Sequence, residues 1–167
     1  MADAQDLQEN LLQPLQMFRF HVTFKRAVIP GGVGQPGAEI NLCSGAFAEC
    51  SGLEATMEPK VIKSGGANYG AAQRVGPVSF STVILKRGVT STRHAWEWFA
   101  LVAGGASAYR LDVSIAVQDA AGNTAMTWRL ARALPVKFKA ADLNARTAEI
   151  GIEELHLAHE GLQLEAP

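Results

Sequence analysis

Val83-Ile84-Leu85-Lys86-Arg87-Gly88 runs through Val89-Thr90-Ser91-Thr92 into His94-Ala95-Trp96-Glu97-Trp98-Phe99-Ala100-Leu101-Val102-Ala103, and Gly104-Gly105 follows. The order is an apolar strand, a polar turn, one amphipathic helix and a stop. Ala95, Phe99 and Val102 recur at i, i+4 and i+7, so they share one stripe, with Trp96 beside it. The spacing therefore predicts a helix that packs Ala95, Trp96, Phe99 and Val102 onto a sheet. Thr90, Ser91 and Thr92 each offer a side-chain oxygen as N-cap. Gly104 is expected in the left-handed conformation that closes a helix. A ligand-stacking box would use the same rings of Trp96, Trp98 and Phe99, but filling a core is the ordinary use of large aromatics.

The flanking segments alternate with a period of two. Phe18, Phe20, Val22 and Phe24 alternate with Arg19, His21, Thr23 and Lys25, which predicts a half-buried strand. Leu111, Val113, Ile115 and Val117 alternate in the same way, and Met126, Trp128 and Leu130 return after a hairpin turn at Asp119–Asn123. Ala46 to Leu53 forms a strand anchored by Phe47. Pro59 cannot donate to a central ladder, so the segment around it is an edge strand or leaves the sheet. Ser64 to Gly76 is rich in glycine and reads as loop, and Val78 to Lys86 reads as the strand that feeds the helix. A turn is expected at Leu134-Pro135 and another over Asp142–Ala145. Ile150 and Ile152 share one parity while Leu155 and Leu157 share the other, which predicts a bulge at Glu153-Glu154 that lets one strand serve two sheets. The fold class is mainly β: a β-sandwich or small barrel of seven or eight antiparallel strands with one packed helix.

Composition narrows the function. At 167 residues the chain builds one domain with a proper core. Its net charge of −1 gives no basic field for nucleic acid or anionic lipid, and little repulsion between copies. Met1 to Gln16 is polar, with Asp3, Asp6 and Glu9, and lacks the apolar core of a secretory signal. No apolar run reaches membrane-spanning length, so no membrane anchor is expected. Residues 1–16 read either as a partly disordered arm or as a segment that orders on a neighbouring subunit. Residues 26–41 read as an exposed Gly-Pro loop.

Catalytic and metal chemistry find no support. His156 and His159 fall on opposite faces of a strand, and no cluster supplies three or four ligands, so no metal or cofactor is expected. Gly65 and Gly70 have Walker-like spacing, but Ala71-Ala72 stand where Lys-Ser/Thr is required. No Gly-x-Ser-x-Gly elbow occurs. Cys43 and Cys50 have no activating neighbour and read as structural cysteines; the sequence allows a disulfide between them without implying one, and a reducing compartment at synthesis is the expectation. Lys86-Arg87 reads as a solvated or turn charge.

Three stretches resemble the tail tube (inner tube) protein family of contractile-tailed phages and phage-tail-like extracellular contractile injection systems. The first is Phe47-x-Glu49-x-Ser51-Gly52-Leu53, followed by Gly65-Gly66-Ala67-Asn68. The second is Leu85-Lys86-Arg87-Gly88 with Trp96-x-Trp98-Phe99. The third runs from Ala133-x-Pro135-x-Lys137 through Asp142-Leu143-Asn144 to Ile152-Glu153-x-Leu155 and His159-Glu160-Gly161-Leu162. The resemblance implies a domain over 17–162, with an arm at 1–16 and a short tail at 163–167. It implies hexameric rings that stack into a hollow tube and pass DNA or a protein cargo. The implied partners are other copies, a surrounding sheath, baseplate or hub proteins and tube-terminating proteins. Assembly would occur in the producing cell's cytoplasm, and the product would be part of a virion tail or a released extracellular particle.

The segment from Glu54 to Tyr69 resembles the loop that reaches an adjacent subunit, so Glu54, Met57, Glu58, Lys60, Ile62, Asn68 and Tyr69 are the expected contact residues. Asp112, Ser114, Gln118, Thr127 and Arg129 are candidates for a lumen-facing row, and they equally fit an ordinary solvated sheet face. A secreted type VI-like tube protein is an alternative within the class. A monomeric ligand-binding β-barrel, with Trp96, Trp98 and Trp128 as ligand contacts, is the alternative outside it.

Overall fold

The computed structural model describes residues 15–27, 37–40, 42, 47–63, 65–66 and 70–165. Most of the arm at 1–16, most of the loop at 26–41, and Cys43, Asn68 and Tyr69 lie outside the described residues. The described elements are β1 (Arg19–Arg26), β2 (Glu39–Ile40), β3 (Glu49–Ser51), β4 (Ala55–Ile62), β5 (Ala72–Phe80), β6 (Val83–Gly88), α1 (His94–Ala103), β7 (Leu111–Gln118), β8 (Thr124–Lys139), β9 (Ile152–Ala158) and β10 (Gly161–Glu165). Eight strands join in one antiparallel path, β2-β1-β7-β8-β9-β6-β3, with β10 also on β8. Among the described residues the path does not close into a barrel.

β8 organises the molecule. Thr124 to Ala133 pairs with β7, and Leu134 to Lys139 pairs with β9. β10 continues along β8 beyond β9, from Gly161 opposite Ala131. The strand turns between its two halves at Arg132, whose φ of 51° is rare for a residue with a side chain. There the register against β7 slips between Leu111 and Val113. The Arg132 amide donates to Asp112 Oδ1 at 2.9 Å, which satisfies the donor that the slip takes out of the ladder. The two halves thus face each other across one core. Val22, Phe24, Val113, Ile115 and Leu130 come from one side, and Val83, Leu85, Leu155 and Leu157 from the other.

Several sequence expectations change here. β8 is one strand of 16 residues, so no turn interrupts Leu134-Pro135. Proline is tolerated there because the pairing with β9 shifts between Pro135 and Lys137. The expected bulge at Glu153-Glu154 is absent, since β9 pairs with β6 without interruption from Ile152 to Leu157. Glu153, Leu155 and Leu157 share the inward parity, while Ile150 and Ile152 are exposed. The phase slip in sequence marks the end of the core, and the strand shared between sheets is β8. β5 begins at Ala72, inside the segment read as loop, and ends at Phe80, so Ser81 and Thr82 separate it from β6.

Helix α1 packs through Ala95 and Trp98, which are buried. Trp98 meets Phe24 edge-on at 6.0 Å, and its Nε1 donates to the Tyr109 carbonyl at 3.4 Å. Val102 packs at the core margin. Trp96 does not: it is half exposed and lies against Phe99 and Phe138 at 5.8 and 5.5 Å. The stripe from Ala95 extends at i+3 as readily as at i+4, and the i+3 position holds the larger ring. The N-cap is Arg93 without a side-chain bond, because Thr90 and Thr92 bond each other at 2.8 Å. Gly105, with φ 110°, takes the left-handed conformation in place of Gly104.

Candidate assembly surface

Among the described residues, β4 and β5 form a sheet of their own, joined to each other and to no other strand. Every residue of β4 is exposed, so the hairpin projects from the body. The register pairs Ala55 with Phe80, Met57 with Val78, Pro59 with Val75 and Val61 with Gln73, with one shift between Met57 and Pro59. That shift has a purpose. Val75 and Val78 have opposite parity in sequence, and an extra residue on β5 brings both to one face. The bulge needs Gly76: a Cβ there would stand 2.7 Å from the Glu58 carbonyl oxygen.

One face of the hairpin therefore carries Met57, Pro59, Val61, Val75 and Val78, and the four outer apolar side chains among these are 49–68% exposed. The opposite face carries Thr56, Glu58, Lys60, Arg74 and Ser79, with Ile62 at its end. An isolated two-stranded hairpin is marginal in water, and an apolar row of this length on a solvated element is unusual. Of the expected contact residues, the structure brings Met57, Glu58, Lys60 and Ile62 onto this one element. Glu54 stands at its root, where its carbonyl accepts from Ser81 at 3.2 Å. Sequence reading missed Val61, Val75 and Val78. The alternation in β4 could have found Val61, but the β5 valines are hidden by the bulge. At the root, Gly52 has φ 85°, and a Cβ there would lie 2.2 Å from the Thr82 carbonyl oxygen. No other residue type fits where the hairpin leaves the body.

The second surface is the outward face of β1, β7, β8 and β10. Ser114 lies opposite Arg129, Asp112 opposite Lys25, and Gln118 opposite Arg19. Thr127 pairs with Ala116 on one side and Glu165 on the other. All five candidates for a lumen-facing row thus share one face. Arg129 reaches Asp112 at 3.8 Å and Glu165 at 3.4 Å, and Lys25 reaches Glu39 at 3.5 Å. These pairs are largely exposed, and each contributes at most about 1 kcal/mol. The face mixes both signs and presents no uniform field. Asp112 also holds the Arg132 amide, a structural duty that sequence reading did not assign.

Two titrating groups stand out elsewhere. Glu154 is held below the ordinary carboxylate range, first by the His156 hydrogen bond at 3.2 Å and then by Lys139 and Lys86. Burial pushes the Cys50 thiol up to about 11. Among the described residues, no three His, Cys, Asp or Glu side chains gather as a metal site. No helix there is long and apolar enough to cross a membrane.

Comparison with known proteins gives a consistent result. A chain solved in the baseplate of the anti-feeding prophage is 27% identical, covers 93% of this chain and 97% of its own, and superposes with a TM-score of 0.76. A chain from the sheath-tube complex of an extracellular contractile injection system, PVC, is 19% identical over 100% of this chain and 99% of its own, with a TM-score of 0.71. One from the anti-feeding prophage tube-terminating cap is 18% identical over the full length of both, also at 0.71. The latter two likenesses concern the fold. No match was found among curated proteins. The family profile described as T4-like virus tail tube protein gp19 matches residues 16–163, nearly the whole chain, and this protein therefore belongs to the T4-like tail tube family.

Proposed function

We propose that this chain is the repeating subunit of the inner tube of a contractile tail or injection system. Six copies close a ring, rings stack, and the lumen passes DNA or a protein cargo. The β4–β5 hairpin is the observation that carries this reading. A tail tube chain that projects an apolar face with no partner of its own is built to be covered by another copy. The open edges of the sheet path support the same conclusion, since ring closure removes edges that would otherwise pair at random.

In this reading the face of Asp112, Ser114, Gln118, Thr127 and Arg129 lines the lumen, and its mixed charge lets cargo slide without tight binding. Sheath, baseplate and tube-terminating proteins are the other partners, consistent with the complexes in which the similar chains were solved. The subunit would assemble inside the producing cell and end in a virion tail or an extracellular particle. Its role is mechanical and involves no catalysis.

Negative-stain electron microscopy of the purified protein at high concentration is the test, with and without a nucleating baseplate fraction. Six-fold rings or stacked tubes are expected. Particles that remain monomeric with the nucleating fraction present would overturn the reading.

A further inference from the structure

An open cleft of about 540 Å³ lies where β6 ends and α1 begins. Arg87 and Glu153 form its floor, Ser91 and Arg93 its polar rim, and Trp96 and Phe138 an aromatic wall. Arg87 is the anomaly. Its side chain is 5% exposed and its Nε is taken by Glu153, yet its Nη2 is buried with no hydrogen-bond partner among the described residues. A guanidinium carries five N–H donors, and one carboxylate held through Nε leaves most of them unused. Buried donors are almost always satisfied, so an unpaired one on the floor of an open cleft calls for an acceptor that arrives from outside.

The rim adds to the same field. Arg93 is exposed and makes no ion pair among the described residues, and the Ser91 hydroxyl has no partner there either. Two arginines against the Glu153 carboxylate leave the lining with a single net positive charge. No side chain caps the first turn of α1, so its amide donors and the positive end of its dipole lack a counter-group.

The chemistry of the lining selects the acceptor. One net positive charge matches a monoanion. A phosphate dianion would bring twice that charge and nothing to cover Trp96, which is 50% exposed and lies 5.5 Å from Phe138. A carboxylate on an apolar stem meets both conditions, and its two oxygens match the fork of a guanidinium.

We propose that this cleft is a binding site for an organic carboxylate. Arg87 and Arg93 hold the anion, Ser91 supplies a further donor, and Trp96 covers the apolar stem. The carboxylate belongs to a free organic acid or to an acidic side chain of another chain, which present the same chemistry. The site is separate from the hairpin and stands without the tube reading.

Calorimetric titration of the purified protein at constant ionic strength tests it. 3-Phenylpropionate represents a free acid, and N-acetyl-glutamic acid amide represents an acidic side chain. Saturable binding is expected, with a Kd of about a millimolar, and the tighter of the two probes identifies the source. Arg93→Gln removes an exposed charge away from the core and should weaken binding at least about fivefold. Arg87→Lys keeps a cation for Glu153 but loses the fork, and should weaken it about tenfold. No saturable heat from either probe up to about 50 mM would overturn the proposal. So would an affinity unchanged in Arg93→Gln, or inorganic phosphate binding more tightly than both carboxylates.

Discussion

Arg87 and Glu153 sit where two inward-facing rows end, opposite each other on β6 and β9. Arg87 shares the parity of Val83 and Leu85, and Glu153 that of Leu155 and Leu157, so neither side chain can reach water freely. Arg87 is 4% exposed and bonds Glu153 through Nε. A buried charge that loses its partner is costly, so Glu153→Ala should destabilise the protein by about 3–5 kcal/mol in urea unfolding. Replacing both residues by apolar ones of similar size should restore most of that loss. Cys50 gives a prediction of a different kind. Its pKa is raised from 9.0 to about 11 by burial, and the thiolate is the reactive form. Alkylation of unassembled protein by iodoacetamide should keep rising towards pH 11 rather than level off above pH 9. Because the folded pKa lies above the unfolded one, the stability contributed by the protonated thiol is complete below pH 9 and is lost between about 9 and 11.

Helix α1 shows how an element can be legible while its packing face is not. Its limits follow from the sequence, but a stripe through Ala95 accommodates either Trp98 or Phe99. The core takes Trp98, at 2% exposure, and leaves Trp96 half exposed. Trp98→Ala should cost about 3–5 kcal/mol, and Trp96→Ala about 1–2, as chemical denaturation would show. β1 and β7 were legible for a simple reason: one face of each is buried, so alternation is strict. β5 was not, because Gly65, Gly66, Gly70 and Gly76 made the segment from Ser64 to Gly76 read as loop in composition while pairing decides otherwise. The corner in β8 was hidden too. It depends on Asp112 bonding an amide 20 residues away, a contact without local signal. On the candidate surface, Met57 and Ile62 were singled out through the family resemblance of their segment, whereas Val75 and Val78 needed the bulge to be seen.

For the whole molecule, the core and the projecting hairpin are separate parts. The core lies between the two halves of the sheet, and no described residue of the hairpin belongs to it. Met57→Glu and Val75→Glu should therefore shift the unfolding free energy of the monomer by no more than about 0.5 kcal/mol. The same variants should abolish rings in electron micrographs. Normal rings from either variant would show that the apolar face is not the contact. The continuous β8 strand has a further consequence. A sandwich whose layers meet only through side chains can slide apart under load, since packed surfaces offer little resistance to shear. Here the layers share a covalent backbone, and β9 with β10 runs alongside it past the same corner. Tension on one layer passes to the other through peptide bonds. Such a subunit is a folded strap rather than two stacked plates, a construction that suits the driven tube proposed above.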